Sequence, residues 1–126
     1  DYKIYFNFYK KELYSVTLTS DPELTANYYD TKLKSKWRNL VEMISLQYGE
    51  TVSSDYPSFI SIKSGYYTFS HTWEVDKIKK INIGMGSYKS KYYTVLKMVH
   101  KLKEDERVSK IIKKESKQLE NASTLF

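Results

Sequence analysis

Cysteine is absent from this chain, and with it go disulfides, thiolate nucleophiles, Cys-type zinc sites and iron–sulfur clusters. Only 4 glycines and 2 prolines occur in 126 residues, so glycine-rich phosphate loops and proline-rich linkers lack material. Gly84-Met85-Gly86 supplies the first two glycines of a dinucleotide fingerprint, but Lys89 stands where the third belongs, and the pair reads instead as a strand end or bulge. No G-x-S-x-G and no P-loop is present. No stretch approaches the ~18–20 apolar residues that span a bilayer, and no basic, apolar, small-residue leader opens the chain. A strand pattern begins directly at residue 2, behind Asp1 instead of Met. That start fits an upstream signal or lipid-anchor segment lost by processing.

What is present suffices for one core. Hydrophobic residues make up 40% of the chain, and 13 tyrosines are among them, so aromatic rings carrying polar handles build much of the interior. The length suits a single domain, here residues 1–102, followed by an amphipathic helix and tail over 103–126.

The formal charge of +6 is unevenly placed. Residues 1–75 carry eight positive and nine negative side chains, and 104–126 balances five against five. Residues 76–103 carry lysines 77, 79, 80, 89, 91, 97, 101 and 103 against the single acid Asp76. Such a segment is either an electropositive surface for anions or the lysine-guarded edge of a hairpin.

Hydrophobic period assigns the elements. Tyr2–Tyr9 alternates, with Ile4, Phe6 and Phe8 on one side, as a half-buried strand does. Lys10-Lys11-Glu12 turns the chain, and Leu13–Thr19 alternates again, completing an antiparallel hairpin. Ser20-Asp21-Pro22-Glu23 has the form of a capping box, so a helix starts there or a turn later. Tyr29, Leu33, Trp37, Leu40, Val41, Ile44 and Tyr48 form one helical stripe, which Gly49 ends. Residues 50–58 read as a loop and Phe59–Lys63 as a short strand. Tyr67, Phe69, His71, Trp73 and Val75 share one face of the next strand. Ile81, Ile83 and Met85 line another, Gly86–Ser90 turns, and Tyr92–Leu102 is the last strand, with apolar residues on both faces that make it either buried on both sides or bulged. Val108, Ile111, Ile112 and Leu119 give the final helix a thin stripe. The fold class expected is α+β: a two-layer arrangement in which an antiparallel sheet of four to five strands packs against one long amphipathic helix, with a C-terminal helix.

The catalytic inventory is thin. His71, between Phe69 and Trp73, reads as a packed, hydrogen-bonded histidine, and His100 as an exposed one. Acids are scattered, without the paired carboxylates of a glycosidase or a metal-ligand cluster. No enzyme, cofactor or metal is expected. Binding residues are expected instead in a basic, aromatic patch of Lys77, Lys79, Lys80, Tyr88, Lys89, Lys91, Tyr92 and Lys97. Tyrosines interleaved with lysines there also suit a single-stranded nucleic acid, since bases stack on rings while lysines track phosphates, although the RNP patterns of an RNA-recognition sheet are missing.

Lys11-Glu12-Leu13-Tyr14-Ser15-Val16, the helix closing from Leu40 to Tyr48-Gly49, and the Trp73-bearing meander together resemble small bacterial envelope proteins. These are exported or lipid-anchored domains, similar in architecture to outer-membrane-assembly lipoproteins and β-lactamase-inhibitor-type domains. The resemblance implies a non-enzymatic binding or scaffold domain of the cell envelope or periplasm. It implies work by contact, through a Tyr/Lys-rich sheet surface, with a protein partner or an anionic membrane surface. The alternative is a nucleic-acid-binding domain using the basic 76–103 hairpin.

Overall fold

The computed structural model describes residues 2–23 and 26–123. Five strands, β1 (Tyr2–Tyr9), β2 (Glu12–Ser20), β3 (Tyr67–Glu74), β4 (Lys79–Tyr88) and β5 (Lys91–His100), form one antiparallel sheet in the order β1-β2-β5-β4-β3. The first hairpin therefore joins the later meander through β2 and β5, where Leu18 faces Leu96 and Val16 faces Met98. Between them runs a helical segment made of α1 (Ala26–Tyr28), a π-helical turn (Tyr29–Leu33) and α2 (Lys34–Tyr48). A last helix, α3, spans Lys101–Ser123. The α+β reading, with its antiparallel sheet, long helix and C-terminal helix, holds.

The helical stripe does what its spacing requires. Leu40 and Ile44 bury against Trp73, Ile81, Ile83 and Leu96, with Trp37, Val41 and Tyr48 packed around them. Burial of each such side chain contributes about 1.5–3 kcal/mol. Tyr29 and Leu33 sit with Met85 and Ile62 in a second cluster, where the Tyr29 hydroxyl donates to the Pro57 carbonyl. Within the π-helical turn, the Leu33 carbonyl accepts from the Thr94 hydroxyl at 3.2 Å, so a sheet residue takes up a helix acceptor. Gly49 closes α2 at φ 86°, donating its N–H to the Ser45 carbonyl at 2.8 Å, a left-handed conformation that a Cβ would disfavour.

Four local expectations need correction. Ser20 does not cap a helix: it ends β2 and its hydroxyl accepts from the Thr94 N–H at 2.9 Å, while the described helix begins at Ala26. Phe59–Ser61 is a 3₁₀ turn, not a strand, because Phe59 turns toward the Tyr29 and Tyr92 rings. The tight turn between β4 and β5 lies at Lys89 and Ser90, both at positive φ, and Gly86–Tyr88 stays in β4. The last strand ends at His100, and Leu102 belongs to α3 with 60% of its surface exposed.

The largest difference lies in β3. Phe69 pairs with Gly84 and His71 with Ile83, leaving Ser70 as an extra residue. Such a bulge shifts the alternation by one position. His71 and Trp73 therefore face α2, whereas Tyr67 and Phe69 go to the opposite face. Buried Ser70 anchors the bulge, its hydroxyl lying 2.8 Å from the Trp37 indole N–H donor and 3.3 Å from the Ile83 carbonyl.

Both faces of β5 are buried, as its sequence suggests, through Leu96 on the helix side and Val95 and Val99 on the other. On β1 the expectation of half-burial fails. Ile4, Phe6 and Phe8 share the helix-side face but stand more than half exposed, because α2 covers β4 and β5 and does not reach the first strand.

Candidate binding cleft

The sheet face opposite α2 is concave and polar. Its floor is laid by Thr17 and Thr19 of β2, with Asn7 of β1 donating to the Ser15 hydroxyl at 2.8 Å and to the Thr17 hydroxyl at 3.2 Å. Three strands then bring tyrosines to the same side: Tyr5 from β1, Tyr67 from β3 and Tyr93 from β5. Together with Lys3, Lys91, Lys97 and Tyr88 they line a cleft of about 430 Å³.

The two unusual glycines of β4 make this shape. Gly84 and Gly86 both face the cleft, since they pair with Val95 and Tyr93 on one side and with Phe69 and Tyr67 on the other. A Cβ on Gly84 would lie 2.1 Å from the Thr68 carbonyl oxygen and 2.6 Å from the Phe69 Cα. At Gly86 it would strike the rings of Tyr93 and Tyr67, at 2.4 and 2.9 Å. The missing side chains let the bulged β3 backbone approach and let the two rings lie over the sheet, 6.3 Å apart and near-perpendicular. The reading of these glycines as bulge formers is the one that fits.

The electrostatics are one-sided. Burial pushes the Tyr67 and Tyr93 phenols up from their ordinary value, and the neighbouring phenols push the same way: Tyr5 on Tyr67, and Tyr67 with Tyr5 on Tyr93. All three hydroxyls thus lie close enough to influence one another, and Tyr67 and Tyr93 stay protonated as donors at neutral pH. Among the described residues no Asp, Glu or His lines the cleft. Glu104 of α3 bonds Arg107 and is held below its ordinary value first by that hydrogen bond, with smaller help from Lys97 and Lys80.

The predicted patch is split by the fold. Tyr88, Lys91 and Lys97 reach the cleft. Lys89 sits in the β4–β5 turn beside them, its ammonium 5.3 Å from the Tyr88 ring centre. Lys77, Lys79 and Lys80 lie at the opposite end of β4, beyond the strand length that separates Lys79, paired with His100, from Tyr88, paired with Lys91. Tyr92 points to the helix side, edge-on to Tyr29 and Phe59, because it alternates with Tyr93. Lys3, Tyr5, Tyr67 and Tyr93 were not in the predicted patch. Their signal was the first strand's polar face, Lys3, Tyr5 and Asn7, which sequence distance of some ninety residues hides from Tyr93.

The histidines do other work. His71 stacks on Trp73 at 5.5 Å and meets Trp37 edge-on at 5.6 Å. Its Nδ1 lies 2.8 Å from the Ser70 hydroxyl, and burial lowers its pKa. It borders a shallow cavity on the loop side with Asp30, Lys34 and Asp55. His100 is half-buried, not exposed: its Nδ1 accepts from the Lys103 N–H at 3.2 Å, capping the start of α3. Among the described residues no group of three His, Asp or Glu side chains is gathered as a metal site, and no helix is long and apolar enough to cross a membrane.

No family model, curated protein or solved structure matches this chain.

Proposed function

We propose that this protein is a non-enzymatic binding domain whose working surface is the open sheet face, and that it takes an extended acidic segment of a protein partner. The observation that carries this reading is the cleft's one-signed lining, lysines and hydroxyls with no acidic side chain among the described residues. Phenol hydroxyls from Tyr5, Tyr67 and Tyr93 line it together with the ammonium groups of Lys3, Lys91 and Lys97, and among the described residues no carboxylate does. Carboxylates of a ligand would accept from both kinds of group, and charge-assisted bonds of this type are the strong ones. Lysines around a concavity also raise the encounter rate of an anion.

Shape favours a segment over a flat surface. A cleft of about 430 Å³ admits side chains, whereas a planar membrane would reach only the rim lysines. Single-stranded nucleic acid is the second reading, supported by the same tyrosines and lysines. Against it, the Tyr67 and Tyr93 rings stand near-perpendicular to each other over Gly86, so they do not form parallel platforms for successive bases. Placement in the cell envelope belongs to the same proposal, and its support is the layout of a helix against an antiparallel sheet.

Binding of a glutamate-rich peptide, anionic vesicles and a mixed-sequence single-stranded DNA, each across a salt series, tests the reading. The peptide is expected to bind best, with affinity falling as salt rises. Lys3→Gln/Lys91→Gln/Lys97→Gln is expected to weaken it by roughly tenfold or more, while Lys77→Gln/Lys79→Gln, at the far end, leaves it within about twofold. Stronger binding of DNA, or equal loss from both variants, overturns it.

A further inference from the structure

Among the described residues two apolar surfaces stand uncovered, and each has the form the other lacks. The first is the helix-side face of the first hairpin. Ile4, Phe6, Phe8 and Leu13 are 55, 60, 62 and 40% exposed, and they continue into a groove of about 360 Å³ lined by Val16, Ile78 and Met98. A sheet layer five strands wide needs more than one helix to cover it. Here α2 covers β4 and β5, and among the described residues no helix lies beside it over the apolar face of β1.

The second is the distal part of α3. Its first turns are fixed to the sheet: Lys101 pairs with Glu74 at 2.6 Å, Lys103 with Glu12 at 3.4 Å, and the Arg107 guanidinium lies 5.0 Å from the Tyr14 ring centre. One turn later Lys110 stands 5.9 Å from the Tyr9 ring centre. The helix therefore runs from β5 across β2 to β1 and onward past the edge. From Val108 every described residue is exposed, including Ile111, Ile112 and Leu119 at 43, 56 and 72%. At 1.5 Å per residue, about 20 Å of helix extends beyond Lys110.

We propose that two copies of this chain associate by reciprocal docking, with the distal part of α3 from each lying over the β1–β2 hairpin of the other. The helix cannot fill its own vacant layer. The Arg107 guanidinium lies on the ring of Tyr14, a residue that lines the cleft, which places the first turns of α3 on the cleft face, so a continuous helix leads away from the apolar side of its own hairpin. A two-fold related copy satisfies both, twice.

The edges of the sheet agree with this. The outer edge of β3 is covered by the loop before it, through Ser54 N–H to the Ser70 carbonyl at 2.8 Å and the Thr51 hydroxyl to the Thr72 carbonyl. Strand β1 has no such cover among the described residues, and one lysine, Lys3, is its only charge. By area the contact is adequate. The four hairpin side chains and Val108, Ile111, Ile112 and Leu119 together expose on the order of 750 Å² per chain, near the ~800 Å² each partner buries in a standard interface.

Sedimentation equilibrium over a concentration series tests it, using the whole chain. The unmodified protein is expected to dimerise. Ile111→Glu/Ile112→Glu, at exposed positions of α3, and Phe6→Glu, on the exposed hairpin face, are each expected to weaken association by at least roughly tenfold, with far-UV circular dichroism unchanged. Mixing the two variants gives the sharper readout: an intact α3 from one meets an intact hairpin in the other, so a heterodimer forms where neither variant self-associates. A monomer at every concentration, a dimer indifferent to Ile111→Glu/Ile112→Glu, or no heterodimer in the mixture would overturn the proposal.

Discussion

Glycines 84 and 86 show how single residues set the site. Both face the cleft, but the obstacles to a side chain differ. At Gly84 the neighbouring atoms are backbone, the Thr68 carbonyl and the Phe69 Cα, held by the bulge. Backbone cannot step aside, so Gly84→Ala is expected to destabilise the fold by about 3 kcal/mol. At Gly86 the obstacles are the ring ends of Tyr93 and Tyr67, which can rotate away. Gly86→Ala is expected to cost about 1 kcal/mol or less, yet to displace both phenols and impair ligand binding more than stability. Urea unfolding of the two variants beside a peptide-binding titration separates these effects. A larger stability loss at Gly86 than at Gly84 would contradict the account.

At the scale of elements, the bulge in β3 and the docking of α3 decide which surfaces exist. Strict alternation puts Tyr67, Phe69, His71 and Trp73 on one face; inserting Ser70 into the register sends the first two to the cleft and the last two to the core. The indole of Trp37, from α2, holds that serine, so the helix stabilises the irregularity beneath it. Docking of α3 depends on few contacts. Surface ion pairs such as Lys10–Glu106 at 3.6 Å contribute little singly. Arg107 does more, because it joins the Glu104 carboxylate at 2.9 Å and covers the Tyr14 ring. Arg107→Ala is expected to reduce stability by about 1–2 kcal/mol and to raise amide exchange selectively in the first turns of α3. Uniform loss of protection across the sheet would show that α3 is integral to the core instead.

For the whole molecule, the two proposed contacts use opposite faces of one sheet. The acidic ligand would occupy the concave side, and the second copy's helix the side that carries α2. They are therefore expected to be separable. Lys3→Gln/Lys91→Gln/Lys97→Gln should keep the monomer–dimer equilibrium within about twofold, and Ile111→Glu/Ile112→Glu should keep peptide affinity within the same margin. Sedimentation and titration of both variants measure this, and loss of both properties in either variant would mean that the two faces are coupled.

Local pattern alone determined a good deal of this protein. Period 3.6 from Tyr29 to Tyr48 and period 2 in Ile81–Ile83–Met85 are recorded by neighbours a few residues apart, and both appear in the core as read. The absence of cysteine and the short apolar runs likewise needed no structure. What the tertiary structure decided was everything depending on partners far along the chain. It placed β2 beside β5, which carries Lys3 and Tyr5 to Tyr93. It set Lys77, Lys79 and Lys80 at one end of β4 and Tyr88, Lys89 and Lys91 at the other, with Lys97 between them, and it turned Tyr92 inward to Tyr29. It left Ile4, Phe6 and Phe8 uncovered, although their alternation is that of a buried strand. Alternation records which residues share a face; whether that face is covered depends on where a helix of limited width comes to rest.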